Sequence, residues 1–361
     1  MSAPGPQKSL QRHPLAGWLM IAPAVVLIAA FLIAPFVLAF GYSFTNQRLI
    51  SPNPTQFVGL QNFEQLLGVG VLTISPQTGE DGTVMRDENG NLQYPSVRSF
   101  TRGNDEFPHL QGMREWFSWT WGEDRVLVLA RDIVFMKALT NTLLFVAVVA
   151  PVQSALALLL ALMINQKLRG INIFRTIYFM PVVVSIVVVS LLWRFIYDGS
   201  NGLLNTLFEF LSFGLFQPVD WLGNPGTALW AIIAMSIWQA VGFHMVIWLS
   251  GLQTIPVSLY EAAEIEGANS WQKFRFVTWP GLRNTAILII IVITMQAFAL
   301  FAQVDVMTNG GPVDSTQVLV FQAVQRGYEQ QNIAGGSAIS VILFVIVLAI
   351  SMTQRYLTRE R

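Results

Sequence analysis

Six runs of apolar residues constrain the fold of this chain more than any other feature of its sequence. They cover residues 15–40, 138–164, 173–197, 228–252, 285–304 and 338–352. Crossing the hydrocarbon core of a bilayer takes roughly 20 apolar residues in a helix. The last run reaches that length when it is extended back towards Gly335, since Gly and Ser are tolerated in membrane helices. With 53% hydrophobic and 12% charged residues, the composition also favours a membrane protein. We therefore predict an all-α integral membrane fold with six transmembrane helices.

The basic residues predict how the chain is oriented. Lys8 and Arg12 precede the first run, as in a signal peptide, but its apolar stretch is far longer than the about 7–15 residues of such a signal. We predict that it is retained as an anchor. Because cytoplasmic segments carry an excess of Lys and Arg, we place both termini, residues 1–14 and 356–361, in the cytoplasm. The other basic residues on that side are then Lys167, Arg169, Arg175, Lys273, Arg275, Arg283, Arg355, Arg359 and Arg361.

The segment between the first two runs, residues 41–137, is then extracytoplasmic, and residues 68–132 within it differ in character. Turn-forming residues at 78–82 and 87–91 separate short β-prone pieces, which predicts an insertion that contains β-hairpins. Its later part holds the aromatic residues Trp116, Phe117, Trp119 and Trp121. We favour an aromatic belt at the membrane interface for them. A face that stacks on sugar rings or on a partner is the alternative.

Several classes of catalytic and nucleotide-binding site are missing from the sequence. The chain has no cysteine, which excludes disulfides, thiol catalysis and thiolate metal sites. No Gly-Lys pair occurs, so a P-loop that would cradle ATP phosphates is excluded. Neither Gly-x-Ser-x-Gly nor His-Glu-x-x-His is present, and the three histidines, His13, His109 and His244, are far apart in the sequence. We predict that the chain is not an enzyme and itself binds no cofactor or metal.

A polar segment between the fourth and fifth runs, residues 253–283, has the pattern of two short helices joined at a glycine. Ser258 and Glu261 have the spacing of a capping box, which predicts the start of a helix. Gly267 can adopt the left-handed conformation that ends a helix, and Ser270 can cap a second short helix. On these features alone the segment is an ordinary amphipathic loop on the cytoplasmic face.

The full spacing of this segment resembles the signature of the membrane subunits of ABC importers: Glu-Ala-Ala, three residues, Gly, nine residues, and Ile-x-Leu-Pro. The corresponding residues are Glu261, Ala262, Ala263, Gly267, Ala268, Val277, Trp279 and Pro280. Val277 and Trp279 replace Ile and Leu, and both replacements are apolar. Residues 59–63 (Gly-Leu-Gln-Asn-Phe) and 308–312 (Thr-Asn-Gly-Gly-Pro) are similar to further elements of this family.

The resemblance implies the permease fold of type I ABC importers, with residues 138–355 as the permease core and an insertion between helices 1 and 2. It implies a non-catalytic translocation subunit, in the cytoplasmic (inner) membrane of a bacterium or archaeon, of a sugar importer similar to the maltose and glycerol-phosphate systems. A mono-, di- or oligosaccharide, a glycoside or a polyol would fit alike. In that family the helix that carries Glu261 and Gly267 docks into the ATPase, whose closure drives alternating access.

The resemblance also implies the partners of the chain. They are a second permease subunit, a dimer of ATP-binding subunits that holds ATP and Mg, and an extracytoplasmic solute-binding protein. Lipid surrounds the helices, and no nucleic acid is expected. A secondary transporter or channel that works without an ATPase is the alternative function. No acidic residue lies in the middle of a run to couple protons or cations, since Asp198 and Asp305 lie at run ends.

Polar residues inside apolar runs are costly in lipid and are therefore candidates for a substrate path. Amides beside aromatic rings suit the hydroxyl groups and the C–H edges of a sugar. The candidates are Trp238, Gln239, Phe243, Gln296, Leu300 and Gln303. Hydrogen bonds that only hold helices together are the alternative for them and for His244. For Arg194 and Asp198, which are four residues apart, we predict a structural ion pair.

Overall fold

The structure, a computed structural model, describes residues 14–79, 83–88, 90–166 and 170–358. Several residues named above lie outside these ranges. They are Lys8, Arg12, His13, Glu80, Asp81, Gly82, Asn89, Lys167, Arg169, Arg359 and Arg361. The predicted cytoplasmic N-terminus lies almost entirely outside the described residues.

Helices dominate the described chain, because a backbone in lipid must form its hydrogen bonds within the protein. In chain order they are α1 Pro14–Ile28, α2 Ala34–Tyr42, α3 Gln61–Leu67, α4 Arg98–Thr101, α5 Ile133–Ile164, α6 Ile171–Val183, α7 Ile186–Ile196, α8 Leu203–Leu211, α9 Ala228–Gln253, α10 Val257–Ile265, α11 Ser270–Lys273, α12 Trp279–Gly281, α13 Arg283–Phe298, α14 Ala302–Met307, α15 Leu319–Val324 and α16 Ile333–Thr358. Turns of π-helix at Ala29–Ile33, Phe274–Thr278 and Gln325–Glu329 continue three of these helices.

Four stretches of helix are long and apolar enough to cross a membrane: Trp18–Tyr42, Ile133–Ile164, Ala228–Gln253 and Ile333–Tyr356. Two bent pairs of helices meet the same criterion together. The pair α6 and α7 is bent by 99°, and the pair formed by Ser270–Gly281 and α13 is bent by 67°. The described residues therefore provide four candidate spans, or up to six if each bent pair counts as one.

The third apolar run is not the single helix that its length predicts. α6 ends at Val183, and Val184 and Ser185 have extended backbone, with ψ of 140° and 133°. Pro181 lies just before this break, where it removes one helical hydrogen bond. The fifth run is also interrupted, since α13 ends at Phe298 and α14 begins at Ala302.

A small antiparallel sheet lies between the first candidate span and α5. Its strands are β1 Val69–Ile74, β2 Arg114–Trp121 and β3 Asp124–Ala130, in the order β1-β3-β2. One face packs on the loop that joins β1 to β2, through the buried residues Leu72, Ile74, Leu110, Met113, Leu127 and Leu129. This sheet occupies the region in which the sequence predicts β-hairpins.

The aromatic residues of β2 separate into two groups. Trp116 is partly buried and packs against the cluster around Phe135 at the start of α5. Phe117, Trp119 and Trp121 alternate along the strand and share its other face, where they are 46%, 43% and 78% exposed. The rings of Phe117 and Trp119 stack, with centroids 5.8 Å apart. Trp116 therefore belongs to the core, and the other three form an exposed stripe.

Asp132 anchors the sheet to the helices. Its carboxylate accepts a hydrogen bond of 2.9 Å from the Phe135 amide, which caps α5. It also pairs with Arg326 at 2.5 Å, and the two side chains are 11% and 12% exposed. Such a largely buried pair fixes the position of both partners, since removing one would leave the other charge uncompensated.

The main hydrophobic core lies between α5, α9 and α13. Its largest fully buried side chain is Trp248 of α9, whose indole Nε1 donates a hydrogen bond of 3.1 Å to the carbonyl oxygen of Ser154 in α5. The small residues of α9 also allow close approach. A Cβ at Gly242 would lie 2.6 Å from the carbonyl carbon of Tyr178 and 3.1 Å from Cα of Phe179, both in the backbone of α6.

Gly242→Ala is expected to lower the stability of the bundle by about 1–3 kcal/mol, because the added methyl group overlaps backbone atoms that cannot rotate away. The melting temperature of the purified protein in detergent measures this effect. Gly41→Ala is the matched control, because Gly41 lies in α2 and a Cβ there would meet no atom within 4 Å. Equal melting temperatures for the two variants would contradict the close approach of α6 and α9.

Candidate functional site

The predicted helix-glycine-helix segment is formed by α10, α11 and the turn between them. Gly267 has φ of +74° and follows the last residues of α10. The Gly267 amide donates to the Glu264 carbonyl oxygen at 3.0 Å, and the Ala268 amide donates to the Ala263 carbonyl oxygen at 2.8 Å. These two bonds form a Schellman motif, so the prediction that Gly267 ends the helix is confirmed. Few residues other than glycine adopt a positive φ without strain.

The two caps predicted for this segment are wrong. α10 begins at Val257, after Pro256, and Ser258 already lies in its first turn, where its backbone is helical and its hydroxyl makes no capping bond. The second cap is Asn269 and not Ser270. The Asn269 side chain accepts from the Gln272 amide at 2.9 Å, and the Gln272 side chain accepts from the Asn269 amide at 2.8 Å. Asn269 has the extended backbone that an N-cap requires.

Two side-chain contacts hold α10 against the helical residues that follow it. Lys273 Nζ lies 2.7 Å from Glu264 Oε1, and the Tyr260 and Thr278 hydroxyls are 3.0 Å apart. The hydrogen bond from Lys273, and its charge, lower the pKa of the Glu264 carboxyl below its ordinary value of 4.5. The stabilisation from the ion pair is therefore present above the ordinary pKa of the carboxyl and is lost as the pH falls through the lowered pKa. The segment is a braced unit at neutral pH.

The segment exposes three large apolar side chains. Ile265, Trp271 and Phe276 are 87%, 66% and 70% exposed. The predicted coupling residues Glu261, Ala262, Gly267 and Pro280 are exposed, and Ala263 and Ala268 are half-buried. Exposed apolar side chains of this kind are available for contact with another protein.

A cleft of about 240 Å³ lies between α5, the α6–α7 break, α9 and α13. It brings together five of the six candidate residues for a substrate path, which are Gln239, Phe243, Gln296, Leu300 and Gln303. Trp238 is not among the lining residues, and its ring packs against Trp193 with centroids 5.2 Å apart. The amides of the three glutamines make no hydrogen bond within the described part of the chain, so they remain available to a ligand.

The floor of the cleft contains polar residues that the sequence analysis did not select. Gln153 of α5 and Ser236 of α9 line it and are 2% and 7% exposed. The Gln153 amide lies 2.8 Å from Nδ1 of the fully buried His244. His244 does not line the cleft, and its contact with Gln153 joins α5 to α9. Gln153 lies in the second apolar run and could have been selected by the same criterion as Gln239.

The predicted ion pair between Arg194 and Asp198 does not form. α7 ends at Ile196, so the two side chains are not on one face of a continuous helix. The Asp198 carboxylate accepts instead from the Asn201 amide at 2.8 Å and from the Ser200 amide and hydroxyl at 3.0 and 2.9 Å. These bonds lower the pKa of Asp198. Arg194 donates a 3.5 Å bond to the carbonyl oxygen of Val306.

The chain is similar to known membrane transport proteins. The family described as binding-protein-dependent transport system inner membrane component matches residues 153–360. A probable ABC transporter permease protein of Pyrococcus horikoshii is 35% identical over 228 residues, which are 63% of this chain and 78% of the relative. The lactose transport system permease protein of Rhizobium radiobacter is 34% identical over 245 residues, which are 66% of this chain and 81% of the relative.

The fold is similar to that of a solved membrane transporter. A chain from the crystal structure of a bacterial ABC transporter involved in the import of the acidic polysaccharide alginate matches with a TM-score of 0.68 and 19% identity. The match covers 98% of this chain and 97% of that chain. At this level of identity the similarity concerns the fold.

His244→Ala is expected to destabilise the bundle by about 1–3 kcal/mol, because it leaves the buried Gln153 amide without its partner. Thermal unfolding in detergent measures the change. The control is His109→Ala, because His109 is an exposed residue beside the sheet. A His244 variant as stable as the His109 variant would contradict a role in holding α5 to α9.

Proposed function

The chain belongs to the family of inner membrane components of binding-protein-dependent transport systems, and from this premise we propose that it is the translocation subunit of an ATP-driven sugar importer. As a permease subunit it is not catalytic, and ATP and Mg bind to partner subunits. The lactose permease of Rhizobium radiobacter supports a sugar as the substrate. The observation that carries the proposal is the braced segment of α10 and α11, which joins an exposed contact surface to the helix that lines the cleft.

The segment connects the surface on which an ATPase subunit would dock to the helix that lines the cleft. Its exposed apolar side chains provide a surface on which an ATPase subunit can dock, with Glu261, Ala262, Ala263, Gly267, Ala268 and Pro280 as the coupling residues. The ion pair of Glu264 with Lys273 keeps its two helices together. α11 continues through a π-helical turn into α12 and then α13, which carries Gln296. A displacement of the segment can therefore reach the cleft through α11, α12 and α13, across the 67° bend before α13.

The topology follows from the same assignment. Each bent pair counts as one span, which gives six membrane-crossing segments with both termini in the cytoplasm. The sheet of β1, β2 and β3, within the predicted insertion 68–132, is then extracytoplasmic. An extracytoplasmic solute-binding protein delivers substrate on that side. A second permease subunit completes the translocation path.

The mechanism is alternating access. Binding of ATP closes the partner ATPase, the segment around Glu261 moves with it, and the bundle opens outward to accept the sugar from the binding protein. Hydrolysis of ATP returns the bundle to the conformation in which the cleft opens to the cytoplasm. The chain contributes two conformations of similar free energy, and the differential binding of nucleotide by the partner shifts their populations.

A secondary transporter is the weaker candidate. Coupling to protons or cations requires a titratable or coordinating acid in the path. None of the described residues that line the cleft is Asp or Glu, so the chain offers no site in the cleft for such an ion.

Two variants test the coupling role. Glu261→Lys reverses an exposed charge that makes no ion pair within the described residues, and Gly267→Pro cannot adopt the φ of +74° found there. Each is expected to abolish co-purification of the chain with its ATPase subunit. Glu329→Lys is the control, because Glu329 is also exposed and lies outside the segment, in the π-helical turn that follows α15. Uptake in vesicles driven by a proton gradient without ATP would contradict the proposal.

A further inference from the structure

We propose that the carbohydrate carried through the cleft is uncharged, an inference that rests on the proposed function. The residues that line the cleft are apolar or neutral. None of the described lining residues is Asp, Glu, Lys or Arg. The polar groups on offer are the amides of Gln239, Gln296 and Gln303, with the hydroxyl of Ser236 at the floor.

An anionic sugar would be poorly solvated in this cleft. A carboxylate or phosphate that leaves water loses a large hydration free energy, which only a nearby cation or several converging donors can offset. Arg is the side chain that most often binds such groups, because its planar fork matches their oxygens. A carboxamide offers one donor group and one acceptor group. This pairing matches a hydroxyl, which both donates and accepts.

The break between α6 and α7 also leaves the cleft without a net charge. Val182, near the end of α6, and Ile186, the first residue of α7, both line it. The free N–H groups at the start of α7 carry partial positive charge, and the free carbonyl groups at the end of α6 carry partial negative charge. The two helix ends are separated only by Val184 and Ser185. The partial charges of the two helix ends are opposite, so the break adds no net charge beside the cleft.

The cations on the lining helices α6 and α7 lie about 10 Å or more along the helix from the lining residues, and Arg175 precedes Val182 by seven residues. Arg194 lies eight residues after Ile186, about 12 Å along α7, and donates to the Val306 carbonyl oxygen. Asp305 follows Gln303 by two residues, and its negative charge would repel an anionic sugar. His244 lies behind the floor, where it contacts Gln153 at 2.8 Å. The aromatic ring of Phe243 completes a lining suited to the C–H edges of a neutral sugar.

The similar proteins provide both kinds of substrate for comparison. The relative from Rhizobium radiobacter is named for lactose, an uncharged disaccharide. The solved transporter with the same fold is involved in the import of an acidic polysaccharide. The fold thus leaves the charge of the substrate undetermined, and the residues of this chain's cleft favour an uncharged one.

The test uses the complete importer in proteoliposomes, with its ATPase and its binding protein. ATP-dependent uptake is measured for neutral disaccharides and oligosaccharides, the uronates of matched length and sugar phosphates. A neutral carbohydrate is expected to be taken up at least about tenfold faster than any acidic one. Uptake of a uronate or sugar phosphate at an equal or higher rate would overturn this inference alone. Uptake of no carbohydrate in the panel would overturn the proposed function as well.

A charge variant tests the cleft itself. Gln296→Arg places a cation among the neutral lining residues and is expected to reduce uptake of the neutral carbohydrate by about tenfold or more. Gln330→Arg, at an exposed position after α15, is expected to leave uptake unchanged. Equal uptake by the two variants would overturn the assignment of this cleft as the path of a neutral sugar.

Discussion

Every peptide group that enters the hydrocarbon core of a membrane must find its hydrogen-bond partner inside the protein, and the structure depends on how this chain meets that requirement. Most apolar runs do so as continuous helices. The third run does not, since α6 and α7 are separated by two extended residues. Irregular backbone at this depth is tolerated only where protein or a polar cavity surrounds it. The break lies beside the cleft, since Val182 and Ile186 on either side of it both line the cleft.

The bundle around the break is held by close contacts and few polar groups. Gly242 lets α9 approach the backbone of α6, and the buried pair of Gln153 and His244 joins α5 to α9. Gln239, Gln296 and Gln303, in contrast, make no side-chain hydrogen bond within the described residues. This division separates the polar groups that specify packing from those that remain free to bind. The segment around Glu261 connects to Gln296 of the cleft through α12 and α13.

The sequence predicts most of the architecture because its strongest signals are local. The apolar runs predict the candidate spans, and Gly267 predicts the end of α10. The cleft residues were predicted from polar and aromatic side chains inside the apolar runs, and five of the six predicted residues line the cleft. What the sequence could not predict depends on backbone geometry beyond the local pattern. The early end of α7 separates Arg194 from Asp198, and the start of α10 at Val257 leaves Ser258 too far inside the helix to cap it.

We propose above that nucleotide on a partner ATPase changes access to the cleft of this chain. The chain has no cysteine, so Gln303→Cys provides a single thiol at the cleft. Its labelling by a membrane-impermeant maleimide from outside can be followed in the assembled importer, with and without ATP under conditions that block hydrolysis. Faster labelling is expected in the ATP-bound importer than in the nucleotide-free one, because the cleft then opens outward. Equal labelling rates in the two states would contradict the proposal.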